Sequence, residues 1–389
     1  MLLALILLGI AARVALAWVS WGTNDTATWQ NFGRQVREFG LIDTYRLNKA
    51  FNHPPMPGYW AAAAHWVNER TGVSFPFVFK LPVIASDAVC CLLLWAWWRA
   101  RAPSGRPWLP LLAAAAYAWS LPAMLVSGHH CNTDPVYAML CLLAVWLLDV
   151  RRSPLLAGLA LGAAINIKLI PGVLVLPMLL LARDRREFLS AFAGLAVMAL
   201  PFVPIFIQAG YAFERNALRY TSLKMPWGGN YFLLEAIRSP RTSALASRVL
   251  NEYHDQGRWV MLLAMLLACL RARRGLRAGT IDRPVAFALV SAMFLVLAPG
   301  FALQYAVFPV PLLLAVQPVV GAWYGLFAGL FLFLDYLGNW QGGFPIDTTA
   351  MVSQPGAGPL FGLVGWGILA VFAWRTFQRS GRAVADHDA

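Results

Sequence analysis

Long apolar runs, broken by short arginine-rich loops, set the strongest limit on what this chain can fold into. Spanning helices need about 20 apolar residues, and runs near that length recur from residue 2 to residue 375. Charged residues make up only 13% of the 389 residues and hydrophobic ones 59%, where soluble domains carry about 25% charge. So much apolar surface cannot be hidden in a water-soluble core. The pattern predicts an all-α, polytopic integral membrane protein and excludes disorder, a coiled coil and a secreted disulfide scaffold.

The net charge of +13 fits the same picture. Sixteen of the 31 basic residues fall in five clusters, at 99–106, 151–152, 183–186, 271–283 and 375–382. All five lie on one side if the runs alternate across the membrane, as the positive-inside rule requires. No basic stripe follows one continuous face, so nucleic acid is not expected as a partner. The five cysteines sit mostly in apolar runs, where a free thiol acts as a small hydrophobe, and only Cys131 reads as loop-borne.

Read along the chain, the runs are 2–20, 76–98, 108–127, 135–149, a Pro-interrupted pair over 154–182, 188–208, 259–270, 284–299, 302–317, 319–338 and 358–375. Together they give about twelve crossings, with short broken helices among them and both termini cytoplasmic. The first run ends in Ala15-Leu16-Ala17, which also reads as a signal-peptide cleavage site, but no Lys or Arg precedes it. Three stretches face outward. In 21–75, Trp29, Phe32, Val36 and Phe39 form one apolar face of a helix on the membrane surface, and 55–68 is too short to span. Residues 209–258 form a long external loop with seven basic and four acidic residues. Residues 339–357 are Gly-, Gln- and Pro-rich and contain Asp347. The domain reading is therefore a module over 1–208, the loop 209–258, and C-terminal helices with a tail over 259–389.

Ionisable residues at membrane depth are costly and mark candidate chemistry. Asp25, in WGTNDTATW, suits a general base, but an Asp before a helix start is also an ordinary cap. Asp134, in SGHHCNTDPVY, follows His129 and His130 and is equally placed as a cap before Pro135. That turn holds only part of a metal ligand set. His53 precedes a Pro pair and either donates to a phosphate or packs at the interface. Lys168, in INIKLIPG, sits at a helix break where a compact cation meets phosphate. Lys80 and Asp87 share one face of the second helix, as an intramembrane pair or as cavity lining. Gln304 and Tyr305 sit at an external helix start, as lipid-phosphate ligands or as part of an aromatic belt. There is no Walker loop, dinucleotide fingerprint or nucleophile elbow.

The order of GLIDTY, HPPMPGYW, KLPVIASD, WSLPAMLVSGHHCNTDPVY, AGLALGAAINIKLIPG and LQYAVFPVPLLL resembles the GT-C superfamily of membrane glycosyltransferases that use polyprenyl-phosphate sugars, in its bacterial mannosyltransferase-like branch. The likeness covers about residues 1–185 well and 284–317 loosely. It implies inverting transfer on the external face of a bacterial inner membrane, from a polyprenyl-phosphate donor to a lipid, glycan or protein hydroxyl. It assigns the base to Asp25, and acceptor positioning or support of a cation to Asp134. Lys168 is assigned to the donor phosphate, and His53, His129 and His130, read from the residues alone, stand beside it as further candidate substrate contacts. Gln304-Tyr305 matches the mannosyltransferase branch rather than the His-Glu of the glucosyltransferase branch. Arg215, Arg219 and Lys224 of the long loop are further candidates for the departing phosphate, and a divalent cation is left open. Two other readings stand beside it: a lipid or polysaccharide transporter or flippase, and a non-catalytic relative of the same superfamily.

Overall fold

The computed structural model describes residues 2–101, 106–338 and 358–381. The stretch 339–357, with Asp347, and the last residues of the tail lie outside the described residues. Every regular element described is helical. In chain order these are α1 (Leu2–Val19), α2 (Asn24–Leu47), α3 (Pro55–Thr71), α4 (Phe75–Arg101), α5 (Leu109–Ala118), α6 (Leu121–Leu125), α7 (Asp134–Asp149), α8 (Pro154–Ile167) and α9 (Val175–Leu180). Then come α10 (Arg185–Ala199), α11 (Val203–Phe213), α12 (Gly229–Arg238), α13 (Ser243–Arg277), α14 (Arg283–Leu297), α15 (Val310–Val316), α16 (Pro318–Gly338) and α17 (Gly358–Arg379).

Four helical stretches are long and apolar enough to cross a membrane alone: 75–101, 185–218, 318–337 and 358–379. Helix α5, with α6 and the π-turn that continues it to His130, is bent by 42° and is either a fifth, broken span or a re-entrant pair. The chain is thus an integral membrane protein. The expected run over 154–182 becomes α8, an extended Lys168, a 3₁₀ turn over Ile170–Leu174 and α9. The break falls at Lys168, three residues before Pro171, which has no amide hydrogen to bond back to the Ile167 carbonyl.

Two stretches expected to face outward are more ordered than their sequence implies. Residues 209–258 are not a loop: they hold α12 and the first half of α13, which runs unbroken across position 258 into the apolar run. Residues 21–75 form α2 and α3 packed on each other. Trp29, Phe32 and Val36 are buried between them, with Tyr45 and Phe51, and do not lie on a membrane surface. Phe39, the expected fourth member of that face, is exposed, because Gly40 breaks the helix at φ +81. Elsewhere small residues let helices touch: a Cβ on Gly158 of α8 would meet the Ala191 carbonyl of α10, and one on Gly194 would meet that of Leu155.

The first helix carries an arginine in its apolar run, and this residue decides how α1 and α4 meet. Arg13 and Asp87 are both fully buried and paired, with Nε 2.8 Å from Oδ2. The Tyr117 hydroxyl donates to the other carboxylate oxygen at 2.8 Å, and the guanidinium also donates to the Gly9, Tyr117 and Ala118 carbonyls. Asp87 therefore does not pair with Lys80. Seven residues along a helix is a rise of about 10 Å, and the Lys80 ammonium instead donates to the Ser20 carbonyl at 2.8 Å, at the end of α1. Neither residue lines the site described below. Removing one partner of a buried pair strands the other charge and costs about 3–5 kcal/mol, whereas replacing both is far milder. Asp87→Asn is expected to lower the melting temperature sharply in detergent, and adding Arg13→Met to recover most of it. A thermal unfolding series of the two singles and the double checks this.

Candidate active site

The connection between α1 and α2 lies against the turn that precedes α7, and this contact builds the site. Thr23 is the cap of α2: its hydroxyl accepts from the Asp25 amide at 3.3 Å and donates to the His130 carbonyl at 3.0 Å. Gly22 (φ +114) permits the approach, because a Cβ there would meet the His129 carbonyl at 2.7 Å. With Thr23 as cap, the Asp25 side chain is released from that task. It stands in the first turn of α2, where the helix dipole favours a carboxylate.

Asp25 Oδ2 accepts two hydrogen bonds, from His130 Nε2 at 3.0 Å and Asn132 Nδ2 at 2.7 Å. His130 Nδ1 is paired with the Tyr336 hydroxyl of α16. Nε2–H donates to Asp25, and Nδ1 either accepts from the Tyr336 hydroxyl or, when protonated, donates to it. Among the described residues no donor reaches Oδ1. Burial pushes the Asp25 carboxyl up, but the His130 hydrogen bond and charge, the Asn132 hydrogen bond and the Lys168 charge together hold it below its ordinary value. It is ionised at neutral pH, with one oxygen held and one open.

Asp25 lines a cavity of about 310 Å³ together with His53, Asn132, Lys168, Gln304 and Tyr305, with aromatic walls from Trp29, Phe32 and Tyr220. Lys168 enters at the break after α8, in extended conformation. Its ammonium is 2.6 Å from Asp134 Oδ1 and lies 4.7 Å from the centre of the Tyr305 ring. Asp134 is fully buried at the start of α7, and its other oxygen accepts from Tyr137 at 2.9 Å. The cavity thus presents a carboxylate on one wall and an ammonium on another, close enough for the two charges to sense each other.

The site candidates separate on this geometry. Asp25, His53, Lys168, Gln304 and Tyr305 line one cavity, and His130 meets Asp25 from outside it. Asp134 does not line it: fully buried, it stands behind Lys168 as its counter-ion. His129 is likewise outside, buried against the Ser20 hydroxyl at 2.7 Å. His53 is half-buried with its ring centre 4.4 Å from that of Trp29. Burial first, and then the Lys168 charge, push its pKa down to about 3 against the pull of Asp25. It is uncharged at neutral pH and offers a hydrogen bond, not a cation. Of the loop cations, Arg219 pairs with Glu214 at 2.7 Å and Lys224 bonds Asn251 at 2.6 Å, while Arg215 bonds Asn216. None lines the cavity; Arg258 of α13 does, with an Nε that has no hydrogen-bond partner among the described residues. Arg258, Asn132 and Tyr336 lie outside the candidate set drawn from sequence. Asn132 stands inside the HHCNTD turn, and Arg258 is the last charge before an apolar run, which were their available signals.

The donor set does not suit a divalent cation. Among the described residues no group of three or more His, Cys, Asp or Glu side chains converges. Asp134 is neutralised by Lys168, and Oδ2 of Asp25 already holds two donors. No step below is routed through a metal.

Residues 74–299, more than half of the chain, match glycosyltransferase family 87. The chain belongs to this family. It is also 30% identical over 217 residues to the polyprenol-phosphate-mannose-dependent alpha-(1-2)-phosphatidylinositol mannoside mannosyltransferase of Mycobacterium tuberculosis. That alignment covers 50% of this chain and 49% of the relative, so the chain spans about half the length of the curated protein it matches. The likeness to polyprenyl-phosphate-sugar-dependent membrane transferases read from the motifs therefore holds. The family match includes Lys168, Asp134 and Arg258 and begins after Asp25 and His53.

The Asp25 network makes a pH prediction. The resemblance assigns the base to Asp25, and a base works while ionised, so activity is expected to fall as pH drops through its pKa. His130→Ala removes the two contributions that most lower the Asp25 pKa and leaves burial less opposed. The acidic limb of the rate profile is expected to move to higher pH in this variant. Initial rates from pH 3 to 8 check it, and an unmoved limb would disconnect His130 from the base.

Proposed function

We propose that this protein is an inverting glycosyltransferase that moves a sugar, mannose in the favoured case, from a polyprenyl phosphate to an acceptor hydroxyl. The observation that carries the reading is the half-held Asp25: Oδ2 is fixed by two donors and Oδ1 is open, in a residue that lines a cavity whose other wall carries Lys168. The acceptor O–H gives its proton to Oδ1 as its oxygen bonds to the anomeric carbon. The bond from that carbon to the phosphate oxygen breaks on the opposite side, which inverts the centre. The electron pair leaves with the polyprenyl phosphate, where the Lys168 ammonium and the Arg258 guanidinium stabilise the charge that develops. His53, being neutral, and Gln304 supply hydrogen bonds to sugar hydroxyls. The name of the mycobacterial relative supports mannose and the polyprenyl carrier.

The arginine-rich ends of α4, α7, α13 and α14 lie at the far end of the bundle from Asp25, which under the positive-inside rule supports an external cavity, and a bacterial inner membrane is the location proposed with it. In this arrangement both termini are cytoplasmic, the short apolar helices pair into broken spans to give about twelve crossings, and 1–208 forms the catalytic module to which α13 adds Arg258. Reconstituted protein offered polyprenyl-phosphate mannose, glucose and arabinose, with an envelope extract as acceptor, tests the reading. Release of polyprenyl phosphate from the mannose donor alone is expected. Binding of all three without turnover would turn the reading to a non-catalytic member of the superfamily.

A further inference from the structure

A second cavity, of about 700 Å³, opens at the other end of the same bundle, among the ends of α4, α7, α13 and α14. The helices measure how far it lies from the first. Asp134 starts α7 beside Lys168 and Asp149 ends it in the second cavity, fifteen residues or about 22 Å away. Helix α13 repeats the measure, with Arg258 in one cavity and Arg273 and Arg277 in the other.

Six arginines line this second cavity against two aspartates, Asp149 and Asp282. Asp149 is shared among Arg101 at 3.2 Å, Arg283 at 3.4 Å and Arg183 at 3.9 Å, and Arg101 also reaches Asp282 at 2.9 Å. Glu187, from α10, accepts from Arg283 as well. This pairing uses up both aspartates. Arg152, Arg273 and Arg277 are exposed and have no ion-pair partner among the described residues. Arg273 and Arg277 stand one turn apart on α13 and so share a face. Arg152 reaches the cavity from the α7–α8 connection, in a left-handed conformation (φ +53) that ordinarily favours glycine.

Like charges gathered in a concavity repel unless an anion sits between them. A guanidinium fork matches a phosphate with two parallel hydrogen bonds, and basic pockets between membrane helices at the cytoplasmic boundary take phosphate-bearing head groups. We propose that this cavity binds a phosphate-bearing anion, the head group of an anionic lipid, at a site separate from the catalytic cavity. Arg152, Arg273 and Arg277 hold the phosphate, and the Asp149 cluster fixes the helix ends around it. A soluble phosphate has the same chemistry, so the test separates the two sources.

Full-length protein is placed in nanodiscs of equal phosphatidylglycerol and phosphatidylcholine, and the lipid retained after detergent exchange is read by native mass spectrometry. A parallel titration with inorganic pyrophosphate uses discs of phosphatidylcholine alone. Wild type is expected to retain phosphatidylglycerol selectively, Arg273→Gln/Arg277→Gln to lose that selectivity, and Arg248→Gln, an exposed charge elsewhere on α13, to keep it. Pyrophosphate binding lost in the same double variant, without lipid selectivity, would keep the site and assign it to a soluble phosphate. Retention unchanged in the double variant, or no binding in either arm, would overturn the proposal. Should the double variant elute as aggregate, Arg152→Gln makes the same decision from a different element.

Discussion

Asp25→Asn is expected to lower polyprenyl phosphate release by ~10²–10⁴-fold, the range contributed by a positioned general base, while donor binding stays near wild type. Asparagine matches aspartate in shape and can still accept from Asn132 or His130, so the α1–α2 connection keeps its place. What it cannot do is take a proton at the position of Oδ1. Single-turnover release measured beside equilibrium donor binding separates the chemical step from affinity. Turnover within tenfold of wild type would place the base elsewhere in the cavity, and loss of binding together with turnover would mean that the variant had disturbed the fold.

Lys168→Met is expected to damage both activity and stability, for different reasons. It removes the cation proposed to face the departing phosphate, and loss of one such electrostatic donor costs about 10²–10³-fold in turnover. It also leaves Asp134, fully buried, without its ion pair, a change worth about 3–5 kcal/mol of stability. The two effects part in the double variant Lys168→Met/Asp134→Asn, which removes the stranded charge. Its melting temperature is expected to recover most of the loss, while its turnover stays low. If turnover returned with stability, Lys168 would be a structural cation and the phosphate would be held by Arg258 alone.

Much of the site was legible before the fold. Asp25, His53, Lys168, Gln304 and Tyr305 stand out because a polar or charged group in so apolar a chain needs a reason, and all five line one cavity. Asp134 and His129 stood out by the same rule, yet one is a counter-ion behind Lys168 and the other a buried partner of Ser20. Cost of burial identifies a residue that must be paired, but it does not say whether the pair is with substrate or with the protein. Asp25 looked like a cap by its place before a helix, and the cap is Thr23, two residues earlier. Only backbone geometry separates those roles, since both residues are good caps.

The sequence by itself determined the solvent. Scarce charge, recurring apolar runs and arginine-rich turns leave a helical membrane protein as the one way to satisfy backbone and side chains together. It also marked several helix starts, where proline stands in the first turn, as at Pro110, Pro154, Pro284 and Pro318, although Pro82 is carried inside α4. The tertiary structure decided the pairings between distant segments. Arg13 meets Asp87 across 74 residues, Arg258 enters the cavity from a helix that began as an apparent loop, and Tyr336 reaches His130 across 206 residues. Helical periodicity says which face a residue occupies and nothing about which helix comes to meet it. That meeting depends on how the whole bundle buries its charges and packs its small residues, a global condition that no local stretch of sequence contains.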